Sequence, residues 1–142
     1  MKMTRKSLGL SKLPKKPKDW KLSMFYVGKP FAFPIDNIGA IMQSRAVKLK
    51  ESNVKAIYNS VLGHTEKRIL KSFKDQNAAI SIDISNNKVI SSIADLSLLK
   101  TIDPKHRCPV PAGIHRATAH QRLKDKNPHP VSNIWAQAVF FE

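Results

Sequence analysis

The hydrophobic pattern has helical periodicity in four segments of the chain. These segments are 38–49, 54–62, 65–75 and 114–124. Apolar residues three or four positions apart lie on one face of a helix, so each segment can bury a stripe of side chains. Ser52–Asn53 and Thr65 can cap helix N-termini, and Gly63 can end the second helix. The pattern therefore predicts three or four helices.

The pattern changes to strict alternation at residues 80–84, where three isoleucines alternate with polar side chains. Asn86–Asn87 tolerate positive φ, as the central residues of a two-residue hairpin turn must. We therefore predict a hairpin in which residues 80–84 pair with residues 89–93. Its register places Ile84 opposite Val89, Ile82 opposite Ser91 and Ile80 opposite Ile93.

Other apolar runs complete the predicted sheet. Residues 24–27 and 31–33 are apolar and aromatic but are separated by a Gly and a Pro, which favours an edge strand with a break. Residues 134–141 are apolar on both faces, as in a buried central strand. Residues 96–99 fit either a helical turn or a strand, and the prolines within 104–113 predict a rigid loop.

These elements predict a single α+β domain over residues 23–142. A small antiparallel sheet, formed by the central hairpin and the C-terminal strand, packs with three or four helices. Residues 1–22 have few apolar side chains and contain Pro14 and Pro17, so we expect them to form a flexible or extended basic arm. The chain has 142 residues, which is the size of one ordinary domain.

Charge is the most unusual property of the chain. It has 25 Lys and Arg residues against 10 Asp and Glu, a formal net charge of +15. Eight of these cations lie in the basic arm, against one acid. They are Lys2, Arg5, Lys6, Lys12, Lys15, Lys16, Lys18 and Lys21. The acids are too few to neutralise the surface with mixed pairs, which indicates a polyanionic partner.

Two further basic clusters lie in the predicted domain. Lys67, Lys71 and Lys74 form an outward stripe on one predicted helix. The other cluster consists of Arg107, Arg116, Arg122, Lys124 and Lys126. In it, Arg116, His120 and Lys124 recur every four residues, so a helix would present them as one ridge suited to phosphates. The alternative is an ordinary solvated helix face.

From this charge distribution we predict a non-enzymatic, largely sequence-independent nucleic-acid-binding or packaging protein. Its partner would be RNA or DNA, contacted through phosphates, in a ribosome-associated, nucleoid or virion component. A homo-oligomer or a larger assembly is compatible with this function. The single cysteine cannot form an internal disulfide, and no apolar run resembles a signal peptide or a transmembrane segment, so we expect an intracellular protein.

A peripheral membrane or virion-matrix role is the first alternative. The basic arm also carries leucines and Trp20, and such a segment can place its charges against anionic headgroups while its apolar side chains enter the interface. The second alternative is a small metal-independent ribonuclease, in which histidines exchange protons and cations stabilise the phosphorane. Its candidate residues are His115, Arg116, Thr118 and His120.

The same region of the chain also contains candidate zinc ligands. Its ligands would come from His106, Cys108, His115 and His129. Their spacing matches no common zinc pattern, and the neighbouring cations would repel the ion. We therefore predict no cofactor and no metal.

Overall fold

The computed structural model describes residues 24–43, 48–125 and 132–141, so the predicted basic arm lies outside the described residues. Within them the chain has mixed α and β content. The strands are β1 (Met24–Pro34), β2 (Ile38–Ile41), β3 (Ile80–Asp83), β4 (Cys108–Val110) and β5 (Asn133–Phe141). The α-helices are α1 (Glu51–Val61), α2 (Glu66–Asp75) and α3 (Ile114–Lys124), and short 3-10 helices span Ile35–Asn37, Ile93–Lys100 and Pro104–His106.

β5 is the central strand of a three-stranded mixed sheet. It pairs antiparallel with β1 on one side and parallel with β3 on the other. The prediction of a buried central strand at 134–141 is therefore confirmed. The prediction of a broken edge strand is also confirmed, because the β1 register shifts between Val27 and Phe31, around Gly28 with its φ of +66°.

The predicted hairpin is wrong. β3 does not turn back on residues 89–93 but continues alongside β5, where the Ile84 amide donates to the Val139 carbonyl at 2.9 Å. Beyond it, the hydroxyl of Ser85 accepts a hydrogen bond from the Phe141 amide at 2.8 Å. On the opposite edge of β3 the Ser81 amide donates to the Ala112 carbonyl at 3.0 Å, so residues 89–93 do not pair with β3. The sheet is mixed rather than antiparallel.

The helix predicted at 38–49 is also wrong, because none of the described residues in that range is helical. Ile38–Ile41 form β2, which pairs parallel with β4 in a separate two-stranded sheet. Gly39 allows this close approach, since a Cβ atom there would lie 3.1 Å from the Cys108 carbonyl carbon and oxygen. The loop predicted from the prolines at 104–113 accordingly contains the short strand β4 and a 3-10 helix.

The other three helices are confirmed. The predicted cap of α1 is wrong, because the helix begins at Glu51 and includes Ser52 and Asn53. The hydroxyl of Thr65 accepts a hydrogen bond from the Arg68 amide at 3.4 Å and caps α2, as its position predicted. Residues 96–99, whose pattern fits either a helical turn or a strand, belong to a 3-10 helix. Packing of α1 against α3 and of α2 against β5 closes the core around the sheet. In the described part of the chain, no helix has the length and apolar character that crossing a bilayer requires.

Candidate nucleic-acid interface

Several carboxylates of the described residues stabilise the fold by accepting hydrogen bonds from uncharged groups. Glu66 accepts from the backbone and side-chain nitrogens of Asn133 at 3.0 and 2.8 Å. Asp95 accepts from the backbone amide and hydroxyl of Ser91, both at 2.8 Å, and these bonds lower the pKa of Asp95. Asp83 and Asp103 accept local hydrogen bonds in the same way. None of these four acids forms an ion pair with a lysine or arginine among the described residues.

Three ion pairs are present within the described residues. They are Lys71–Asp75 at 3.3 Å, Arg122–Glu51 at 2.6 Å and Lys124–Asp36 at 2.7 Å. The hydrogen bond from Arg122 lowers the pKa of Glu51, and the pair raises that of Arg122. All three pairs are at least partly exposed, where such interactions contribute little to stability. A phosphate could therefore replace these carboxylates at low cost, and the three cations remain candidates for binding.

Arg107 lies between two surface depressions. One has a volume of about 470 Å³, and we call it the Arg107 groove. Its lining residues are Asn86, Asn87, Lys88, Val89, Lys105 and Arg107. The three cations in this set are exposed, and the set contains no carboxylate. The second depression shares Arg107 but is also lined by the carboxylates of Asp36 and Asp125, and Asp36 pairs with Lys124 there. The Arg107 groove is therefore the more cationic of the two.

A buried asparagine supports one wall of the Arg107 groove. Asn37 is 0% exposed, and its side-chain amide nitrogen donates to the carbonyl oxygens of Leu99 and Thr101, both at 2.9 Å. Its carbonyl oxygen accepts from the Asp103 amide at 3.2 Å. These three bonds hold the segment that leads into the 3-10 helix carrying Lys105.

The opposite wall is held by Asn87. Its side-chain oxygen accepts from the Val89 amide at 3.0 Å, which closes a local turn. Its side-chain nitrogen donates to the Cys108 sulfur at 3.7 Å. The groove is therefore built on hydrogen bonds that join residues 86–89 to β4.

The lysine stripe of α2 is exposed, as predicted. Lys67, Lys71 and Lys74 are all solvent-accessible, and the Lys74 ammonium lies 6.0 Å from the Trp135 ring centroid. All eight cations of the basic arm, and Lys126, were predicted to contact nucleic acid, and they lie outside the described residues.

The predicted ridge of Arg116, His120 and Lys124 is wrong. His120 is 0% exposed, and its ring lies 5.4 Å from that of Phe73. Arg116 is turned inward, since its guanidinium donates to the Ala78 carbonyl at 2.8 Å and its Cζ lies 4.5 Å above the Phe73 ring. Burial lowers the pKa of Arg116. α3 therefore presents this side to the core rather than to a phosphate backbone.

The candidate ribonuclease residues are likewise engaged within the fold. Thr118 donates its hydroxyl proton to the Ile114 carbonyl at 2.7 Å, and His115 Nε2 accepts from the Lys50 amide at 3.0 Å. His120 Nδ1 lies 2.8 Å from the Arg116 carbonyl oxygen. With His120 enclosed, these side chains do not form one exposed site.

The candidate zinc ligands are dispersed in a similar way. Cys108 is buried, and burial raises the pKa of its thiol to about 11, so the thiol is protonated near neutral pH. His106 Nδ1 lies 2.8 Å from the Thr101 carbonyl oxygen. His129 lies outside the described residues. Across residues 24–43, 48–125 and 132–141, no three His, Cys, Asp or Glu side chains are grouped so that they could hold a metal ion.

Sequence reasoning found Arg107 but missed Lys88 and Lys105, which lie beside it in the groove. Lys105 had a signal in the sequence, since it lies two residues before Arg107, whereas Lys88 follows the predicted hairpin turn at Asn86–Asn87 and had none. No protein-family model fits this sequence, and no curated protein or solved structure matches it significantly.

Proposed function

We propose that this protein is a non-enzymatic nucleic-acid-binding protein that contacts RNA or DNA through phosphates. The observation that carries the proposal is the Arg107 groove, where Lys88, Lys105 and Arg107 line one depression and no carboxylate lines it. Cations held close together repel one another, and phosphates that contact them offset this repulsion. The counterions that the phosphates release also favour binding.

The amides of Asn86 and Asn87 add hydrogen-bond donors and acceptors to the same groove. Such groups can contact phosphate and sugar oxygens, which position a strand without reading its bases. The binding is therefore largely independent of sequence. The basic arm and the lysine stripe of α2 supply additional phosphate contacts in this proposal, as expected for a packaging role inside the cell.

The test is equilibrium binding of the full-length protein to labelled single-stranded and duplex oligonucleotides of mixed sequence over a range of salt concentrations. We expect affinity to fall linearly on a log–log plot, with little difference between unrelated sequences. Vesicles of anionic lipid serve as competitors. If vesicles displace the oligonucleotide at equal phosphate concentration, the peripheral-membrane function replaces this one. Absence of salt-dependent binding to either nucleic acid would refute the proposal.

A further inference from the structure

A second concave site lies between α1 and α2, and Arg116 of α3 lies in its wall. We call it the Arg116 pocket; its volume is about 320 Å³. This volume is at the lower end of the range of about 300–1,000 Å³ that is usual for small-molecule sites. The pocket shares no lining residue with the Arg107 groove. It is therefore a separate site, with its own chemistry.

Arg116 carries a charge that the fold does not neutralise. One guanidinium nitrogen donates to the Ala78 carbonyl and the group stacks on Phe73, but neither partner is anionic. Its Nε is buried and has no hydrogen-bond partner in the described part of the chain. Burial of a cation without an anion is costly, because the lost hydration is not replaced by an opposite charge. An anion bound in the pocket, which Arg116 lines, would supply the missing opposite charge.

The other polar residues of the pocket favour an anion as well. His64 and Arg68 also line it, and no carboxylate is among the lining residues. Arg68 is exposed and, at the mouth of the pocket, lies one helical turn from Lys71 of the α2 stripe. Paired guanidinium groups recognise phosphate better than ammonium groups do, because their planar N–H groups match its oxygen atoms.

The remaining lining residues favour an organic phosphate over the inorganic ion. The Gln76 side chain donates to the Ser72 hydroxyl oxygen at 3.2 Å. This bond leaves the amide oxygen of Gln76 as an acceptor and the Ser72 hydroxyl proton as a donor. Apolar side chains of α1 and α2, including Ile57 and Phe73, form the rest of the wall. An acceptor, a donor and an apolar surface next to two guanidinium groups suit the edge and face of a base.

From this arrangement we propose that the Arg116 pocket binds one nucleotide, with its phosphate between Arg68 and Arg116 and its base near Gln76. The nucleotide is either free or at the phosphorylated end of a strand. The proposal does not depend on the Arg107 groove, and it adds a site that distinguishes a phosphorylated end from internal phosphates.

Calorimetric titration of the full-length protein with AMP, adenosine and inorganic phosphate tests the proposal. We expect AMP to bind saturably and more tightly than either of its parts. Arg68→Gln should weaken AMP binding by about tenfold, the usual effect of losing one charged hydrogen bond. Lys55→Gln is the matched control, because it removes the same charge from an exposed residue of α1 that does not line the pocket. It should leave AMP affinity unchanged.

Oligonucleotides with and without a 5′ phosphate provide the second measurement. The phosphorylated strand should bind more tightly, and Arg68→Gln should remove that difference. The proposal is overturned if adenosine binds as tightly as AMP, if Lys55→Gln and Arg68→Gln lose affinity equally, or if AMP does not saturate the protein. Replacing Lys88, Lys105 and Arg107 with Gln should leave AMP binding intact. If the wild-type protein binds AMP but no oligonucleotide at any salt concentration, the proposed function is refuted and this site stands.

Discussion

Neutralising the Arg107 groove should flatten the salt dependence of nucleic-acid binding. The perturbation is the triple variant Lys88→Gln, Lys105→Gln and Arg107→Gln. All three side chains are exposed and line one depression, so their substitution should not disturb the core. The variant lowers the formal net charge from +15 to +12.

The expected magnitude comes from the number of cations. If each one contacts a single phosphate, the log–log slope becomes less steep by about 2.7 on duplex and about 2.1 on single strands. Because counterion release vanishes near 1 M salt, the same slope change corresponds to a loss of about 500-fold in duplex affinity at 0.1 M. These values are upper bounds, since a groove cation that contacts no phosphate contributes nothing.

Fluorescence anisotropy with labelled oligonucleotides, measured from about 0.05 to 0.3 M KCl, gives both the slope and the affinity. The matched control is Lys29→Gln, Lys48→Gln and Lys55→Gln. It removes the same charge at exposed residues that do not line the groove. We expect the control to change the slope by less than about one unit, through long-range electrostatics alone. Equal losses in the two triple variants would refute the assignment of binding to the groove.

Three further predictions concern the framework around the sites. Gly113→Ala should reduce the free energy of unfolding by about 2–5 kcal/mol in urea denaturation, since a Cβ at its φ of +76° would lie 2.8 Å from Ile80. The control is Gly63→Ala, which has open space at φ +83° and should cost only about 1–2 kcal/mol. Equal costs for the two variants would contradict the clash. Asn37→Ala should cost about 2–4 kcal/mol in the same assay because it removes three hydrogen bonds from a buried site, and a cost near zero would contradict this. Because burial raises the pKa of the Cys108 thiol to about 11, the thiol contributes stability below the ordinary thiol range, and this contribution is lost as pH rises through 11. Cys108→Ala should therefore flatten the decline in the free energy of unfolding from about pH 9 to 11, and an unchanged decline would contradict this.

Elements with local signals could be predicted from the sequence. α2 begins after the capping Thr65, and α3 matches its predicted range, because caps and apolar spacing act within one or two turns. β5 could be recognised because both of its faces are apolar, which is typical of a strand covered on both sides.

Long-range pairing could not be predicted in this way. The turn residues Asn86–Asn87 and the alternation at 80–84 fit a hairpin locally, but β3 pairs with β5 more than fifty residues later. A pattern of alternation specifies which face is buried, not which strand is the neighbour. β2 was missed for the same reason, since Ile38 and Ile41 are spaced as in a helix but pair with β4.

The site was predicted only in part. Arg107 was identified by its charge and Lys105 lies two residues before it, whereas Lys88 becomes relevant only because the fold brings residues 86–89 next to Arg107. The burial of His120 did have a signal in the sequence. It lies three residues after Ala117 and three before Leu123, both buried on the same face of α3. The charges of Arg116 and Lys124 suggest an exposed ridge, but the spacing of Ala117, His120 and Leu123 indicates a buried face.

The central place of β5 has a consequence for biosynthesis. β1 and β3 do not pair with each other, and both need residues 133–141 as their neighbour. A nascent chain on the ribosome that has not yet released this stretch leaves the aromatic and isoleucine side chains of two strands without a completed sheet. The sheet can therefore be completed only after nearly all of the described sequence has been translated, and the intermediates that precede it are prone to aggregate.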